Sequence, residues 1–261
     1  MKRLASYWSH NGLPLLAILA LIPLWELICR VFSVPTFILP APSDIFIAFN
    51  QVSTDRWLDN LWATLRIALL GFGLSFVISI PLAIMMVSSK FLTRAVFPLL
   101  VVIQSTPVVA IAPLLIVILG TGDAPRLAIT CLITFFPLVV SATTGMLATP
   151  PELIELSRSL NVNTKKTIWQ IRLPYAIPHI FSGIKVAITL AVIGAVIAEF
   201  VAAEKGLGYL VQFSTSYFKI PQAFAALMFL SLVSMLLFKS VSWIQKGCFA
   251  WSLSDEEKQR S

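Results

Sequence analysis

Charged side chains are scarce: 12% of the 261 residues are Asp, Glu, Lys or Arg, where a soluble globular chain carries about 25%. So few charges cannot cover the outside of a water-soluble core of this size. With 58% hydrophobic residues and a mean hydropathy of +0.90, the chain reads as an integral membrane protein. Cysteine and histidine are also sparse. Cys29, Cys131 and Cys248 lie far apart, with no CxxC and no histidine at ligand spacing, which excludes a disulfide framework and a zinc site. No Gly-Lys pair occurs anywhere, so the phosphate-cradling GxxxxGK[ST] loop of an ATPase is missing. Two histidines and scattered cysteines do not supply the convergent groups of an intramembrane enzyme, and no catalytic residue, metal ligand or bound cofactor is assigned. No repeat of fixed period is visible.

What the chain has is long apolar runs. Spanning about 30 Å of hydrocarbon takes roughly 20 apolar residues as a helix, and six segments suffice: Leu13 to Phe32, Leu61 to Val87, Ala95 to Leu119, Leu127 to Leu147, Phe181 to Ala202 and Ala223 to Ser242. The expected fold is an all-α membrane protein of six spans. The first run follows Met1-Lys2-Arg3 but is interrupted by Pro14 and Pro23 and lacks a small-x-small cleavage pattern, so it is expected to be a retained helix. If the chain crosses six times, Lys2, Arg3, Lys90, Arg94, Arg158, Lys165, Lys166, Arg172, Lys239, Lys246, Lys258 and Arg260 share one side. Arg56, Arg126, Lys205 and Lys219 take the other, offset by Asp44, Asp55, Asp59, Asp123 and Glu204. The positive-inside rule then places both termini in the cytoplasm. Residues 1–12 form a cytoplasmic N-terminus, 13–247 the transmembrane domain with a cytoplasmic loop over 149–178, and 248–261 a cytoplasmic tail. The location of the charges behind the net +7 matters more than their sum and reports orientation, and no nucleic-acid partner is expected. PAPSDIF, after the first span, reads as a turn into a short helix capped by Ser43 or Asp44. Pro81, Pro107, Pro113 and Pro137 inside spans each free a carbonyl, which points those helices toward protein or water.

The polar stretch ELIELSRSLNVNTKKTIWQIRLP, from Glu152 to Pro174, stands out in so apolar a chain. Thr149-Pro150-Pro151-Glu152 has the pattern of a capping box with Pro150 at the first helical position. Leu153, Leu156 and Leu160 then recur at helical spacing, and Asn161 suits the left-handed residue that stops a helix. Asn163 or Thr164 caps a second helix carrying Ile168 and Ile171, expected to end where Pro174 and Pro178 break the chain into the fifth span. Two short capped helices make a knob for docking on a protein, or lie on anionic lipid headgroups through their basic residues.

Glu155, a turn residue six positions on, then Ile171, Leu173 and Pro174 resemble the EAA loop of binding-protein-dependent ABC importer permeases, E-A-A-x3-G-x9-I-x-L-P. Leu156 and Ser157 stand in place of the two alanines and Asn161 in place of the glycine. WELICR, LPAPSDI, TLRIALLGFGLS, APLLIVILGTG, FFP and AEFVAAEKGLGYL extend the likeness over nearly the whole chain, toward the nitrate, sulfonate and taurine subfamily, which includes permeases for pyrimidine and flavin precursors. The resemblance implies a type I importer fold in the bacterial inner membrane. It implies a second permease copy, cytoplasmic ATPases that bind ATP and Mg, and an external substrate-binding protein. Glu155, Leu156, Ser157, Asn161, Ile171, Leu173 and Pro174 would then couple the spans to the ATPase.

Four further residues are candidates for the pathway. Gln104, Ser105 and Thr106 form a polar cluster inside the third span, which fits a pathway lining or interhelical hydrogen bonds. Glu199 lies deep in the fifth span, as a pore-side group or as an ion pair or helix-end bond holding the subunit together. Glu26 and Arg30 have the spacing of an intrahelical pair, Gly206 and Gly208 suit a tight turn, and His179 is given no role. The alternative to an importer subunit is an ion-coupled secondary transporter, which calls for more buried acidic or histidine residues and an inverted repeat.

Overall fold

The computed structural model describes residues 20–253. Helices dominate, and no strand occurs among the described residues. They are α1 (20–31 as described), α2 (Pro42–Gln51), α3 (Thr54–Ser88), α4 (Lys90–Ser105), α5 (Val108–Leu119), α6 (Asp123–Leu147), α7 (Pro151–Ser159), α8 (Thr164–Thr167), α9 (Leu173–Ala202), α10 (Leu207–Ser216) and α11 (Ile220–Cys248). Four runs are long and apolar enough to cross a membrane by themselves: α3, α6, Thr164–Ala202 and α11. The bent pair α4 and α5 makes a fifth. Residues 1–12, the first part of the expected span Leu13 to Phe32, and the tail from 254 lie outside the described residues.

The centre of the bundle is α3, α6 and α9, packed through small side chains. Thr130 of α6 is fully buried between two glycines, Gly71 of α3 and Gly194 of α9. A Cβ at Gly71 would fall 2.6 Å from the Thr130 Cβ, and one at Gly194 2.9 Å from its Cα, so the backbones approach closely only because both are glycine. In lipid, where burial of apolar surface does not drive helices together, such close packing supplies the association. Ala83, Ala142, Met146 and Ala176 continue the contact toward α7. At the opposite end Trp57 stacks on Phe49 with centroids 4.7 Å apart, meets the edge of Phe229, and donates its indole N–H to the Phe49 carbonyl. Each such ring pair contributes about 0.5–1.5 kcal/mol beyond burial. Together they pin α2 against α3 and α11.

Two expectations about local structure change here. The cap of α2 is Ala41, with Pro42 in its first turn; Asp44 sits at the third helical position and accepts from the Ala41 N–H at 3.3 Å. Ser43 is occupied elsewhere, its hydroxyl and amide both donating to Glu26, while Arg30 bonds Glu26, Ser43 and Asp44. The expected Glu26–Arg30 pair is therefore present and also staples α1 to α2. The span Ala95 to Leu119 is not one helix but breaks after Ser105, and α4 and α5 bend by 95°. Pro107 has no N–H to continue the helix and forces Thr106 to an extended conformation, φ −81° and ψ 126°.

Candidate functional site

At the end of the bundle where α6 leaves and α9 enters, α7 is held by its own ends. Its N-terminus differs from the capping box read in the sequence. Pro150 is the cap and Pro151 the first helical residue, while the Thr149 hydroxyl donates back to the Met146 carbonyl at 3.0 Å. The hydroxyl satisfies the end of α6 because the two prolines already set the backbone direction into α7. At the C-terminus Asn161 takes the left-handed conformation, φ 52°. Its N–H donates to the Arg158 carbonyl and that of Val162 to the Ser157 carbonyl, both at 2.9 Å, which is the Schellman arrangement.

Asn163 caps α8 by accepting from the Lys165 amide at 2.8 Å. The second helix does not stop at Pro174 or Pro178: helical structure runs from Thr164 to Ala202. A π turn over Ile168–Arg172 makes this possible, with the Leu173 N–H bonded to the Ile168 carbonyl. Pro174 then falls in the first turn of α9, where a missing donor is tolerated.

The two arms of the loop are joined by a buried hydroxyl pair. Ser157 Oγ and Thr167 Oγ1 lie 2.6 Å apart, and Thr167 Oγ1 also reaches the Asn163 carbonyl at 3.3 Å. Both contacts are satisfied if Ser157 donates to Thr167 and Thr167 to Asn163. The polarity of α7 is thereby inverted with respect to a helix folded onto its own protein. Ser157, 3% exposed, faces in, while Leu156 is 56% and Leu160 67% exposed, with Leu153 and Trp169 also outside. Glu155 is exposed beside them, and Ile171, Leu173 and Pro174 are half-buried at the root of the loop.

At the other end, three side chains from α3 and α9 meet the first amides of α10. The Gly206 N–H donates to Asn60 Oδ1 at 2.8 Å, Leu207 to Thr64 Oγ1 at 2.8 Å, and Gly208 to Glu199 Oε2 at 2.7 Å. Glu199 is 1% exposed and sits inside the subunit, so of its earlier readings the helix-end bond is the one the geometry holds. Gly206 has φ 136° and packs so tightly on this carboxylate that no Cβ fits. Near this end Arg126 donates to the Ala202 carbonyl at 2.6 Å, and Arg66 pairs with Asp123.

Gln104, Ser105 and Thr106 lie exposed at the elbow between α4 and α5. Ser105 and Thr106 return their hydroxyls to the Val101 and Val102 carbonyls of their own helix, and among the described residues they tie no other helix. Sequence reasoning passed over Arg66 and Lys185, although a lysine inside the fifth span is itself a signal.

Fold and site together define a multi-pass helical membrane protein that presents a capped, apolar-faced loop at one end. Residues 75–247 match the model of the binding-protein-dependent transport system inner membrane component, and the chain belongs to that family. It is 32% identical over 244 residues to the formylaminopyrimidine transport permease protein of Halalkalibacterium halodurans, covering 93% of this chain and 97% of the relative. It is 32% identical over 248 residues to the riboflavin transport system permease protein of Chloroflexus aurantiacus, covering 95% and 92%. The putative aliphatic sulfonates transport permease protein of Bacillus subtilis is 26% identical over 251 residues, covering 96% and 90%. A chain of the inward-facing MetNI methionine ABC transporter shares the fold, with TM-score 0.65 at 19% identity over 75% of this chain and 99% of that one. The protein is a permease subunit of an ABC importer, a multi-pass protein of the inner membrane.

Proposed function

We propose that this permease carries a flat, neutral heterocyclic solute inward, that it works as a homodimer of six-span subunits with both termini cytoplasmic, and that α7 is the handle on which a separate ATPase subunit pulls. The observation that carries this is the inverted polarity of α7. A helix whose hydroxyl faces its own protein while Leu153, Leu156 and Leu160 face out is built to be covered by something else. The Schellman stop at Asn161 and the Ser157–Thr167 bridge make it stiff enough to transmit a push. Glu155, at the edge of the apolar face, and Ile171, Leu173 and Pro174, at the root, complete the coupling unit. ATP and Mg belong to the partner ATPase, and an external binding protein delivers the solute. The two 32% identical relatives named for formylaminopyrimidine and riboflavin support the heterocycle, ahead of the sulfonate relative at 26%. The elbow at Gln104, Ser105 and Thr106, exposed among the described residues, is the proposed pathway lining, facing the second copy.

The test is uptake into proteoliposomes holding the permease, its partner ATPase and the binding protein. Uptake that requires internal ATP and survives a protonophore is expected. Uptake that persists without ATP and collapses with the protonophore would instead establish the ion-coupled alternative.

A further inference from the structure

The end of the bundle opposite α7 carries two cavities that share Arg126 and Glu204 in their walls. Their volumes are about 360 and 540 Å³, within the range that holds small organic ligands. One wall is a stripe of α3, in which Asp59, Trp62, Ala63 and Arg66 recur at helical spacing and so share a face. The first turn of α6 contributes Asp123 and Arg126, and the segment joining α9 to α10 contributes Glu204 and Lys205. The second cavity extends past Phe200 and Gln212.

Charge in the first cavity is balanced, with Arg66, Arg126 and Lys205 against Asp59, Asp123 and Glu204. Only some of it is spent internally. Arg66 pairs with Asp123, and Arg126 lies 3.9 Å from the same carboxylate and donates to the Ala202 carbonyl. Among the described residues Asp59, Glu204 and Lys205 enter no ion pair. The site therefore offers free acceptors and a free donor side by side. A nitrate or sulfonate gains little there, because three carboxylates oppose three cations and attraction to one sign is offset by repulsion from the other. An uncharged solute with donors and acceptors along its edges meets both signs favourably. Trp62, 66% exposed, and the partly exposed Phe200 add flat apolar faces, one in each cavity. A zwitterion such as taurine matches the charges but leaves these rings unused.

We infer that this cleft is a receiving site for a flat, uncharged heterocycle, stacked on Trp62 and hydrogen-bonded along its edge by Asp59, Glu204 and Lys205. The inference rests on the solute class proposed above and places its recognition partly in the permease itself.

The test uses the permease with its ATPase in lipid nanodiscs, without binding protein, and equilibrium dialysis of radiolabelled riboflavin, formylaminopyrimidine, taurine and nitrate. One heterocycle is expected to bind saturably. Trp62→Ala and Glu204→Gln, both at exposed positions, should each weaken it about fivefold, the loss of one stacking contact or one charged hydrogen bond. Thr215→Ala, outside the cleft, should leave it unchanged. Heterocycle binding that is indifferent to both variants, no binding of either heterocycle, or taurine or nitrate binding that depends on Trp62 and Glu204 would overturn the site. Uptake by the complete transporter separates the two claims. ATP-driven heterocycle uptake with no cleft binding leaves the solute class standing and removes the cleft, whereas ATP-driven uptake of an oxyanion alone removes the solute class as well.

Discussion

The hydroxyl bridge between α7 and α8 makes an asymmetric prediction about two conservative substitutions. In Ser157→Ala, Thr167 loses a donor but keeps its own acceptor, the Asn163 carbonyl at 3.3 Å, so no buried proton is stranded. The expected cost is about 0.5 kcal/mol, the low end for a hydrogen bond removed without an orphaned donor. In Thr167→Val, the Ser157 hydroxyl, in a residue only 3% exposed, faces a methyl group and loses its acceptor. That cost is about 1–2 kcal/mol, within the range for an unsatisfied buried polar group. The double variant should cost less than the sum, because with both hydroxyls gone neither is left unpaired. The assay is hydrogen exchange of peptides spanning 151–167 in nanodiscs, where local opening reports these differences directly. Exchange should quicken about twofold in Ser157→Ala and about five- to thirtyfold in Thr167→Val. Equal effects of the two substitutions, or strict additivity in the double variant, would refute the bridge as the element that stiffens the loop.

Other substitutions test other parts of the account. Asn161→Gly should keep the loop intact and uptake near normal, whereas Asn161→Val should destabilise the stop by about 1–2 kcal/mol, the cost of a left-handed conformation for a β-branched residue without the polar side chain that eases it in asparagine, read by the same exchange experiment. Glu199→Gln keeps an acceptor for the Gly208 amide and should leave thermal stability in detergent within a few degrees of the native protein. Glu199→Ala orphans that amide and should lower stability by about 1–3 kcal/mol. Pro107→Ala should restore a helical N–H and relax the 95° elbow, lengthening the distance between spin labels at exposed positions 91 and 117.

Some of this was legible in the residues. Asn161 announced its conformation because asparagine tolerates the left-handed region and stands where the leucine stripe of α7 ends. Pro107 was visible as a residue without an N–H that frees a carbonyl, yet the polar residues before it read as a pathway lining or interhelical bonds within one span, and only the geometry shows a span broken in two. Thr149 was misplaced because T-P-P-E satisfies the capping pattern one residue early, and the pattern does not say that the hydroxyl has a competing acceptor in α6. Pro174 read as a helix breaker because a π turn that absorbs it leaves no mark in the sequence. Glu199 accepts from the Gly208 amide, in a glycine turn whose direction nothing in the fifth span announces, so a carboxylate in a greasy run gave the burial but not the bond. Apart from Arg66, which was passed over, the charges of the cleft were counted for orientation only, since nothing local brings Asp59, Asp123 and Glu204 to one cavity.

The most direct measurement places a single cysteine at Leu156 in a background with Cys29, Cys131 and Cys248 replaced, and exposes the reconstituted transporter to a short bifunctional crosslinker. Crosslinking to the ATPase subunit, altered in yield between the nucleotide-free and ATP-bound states, is the predicted result. A cysteine at this position that labels freely with water-soluble reagent in the active complex and never joins the ATPase would contradict the claim that α7 is the handle.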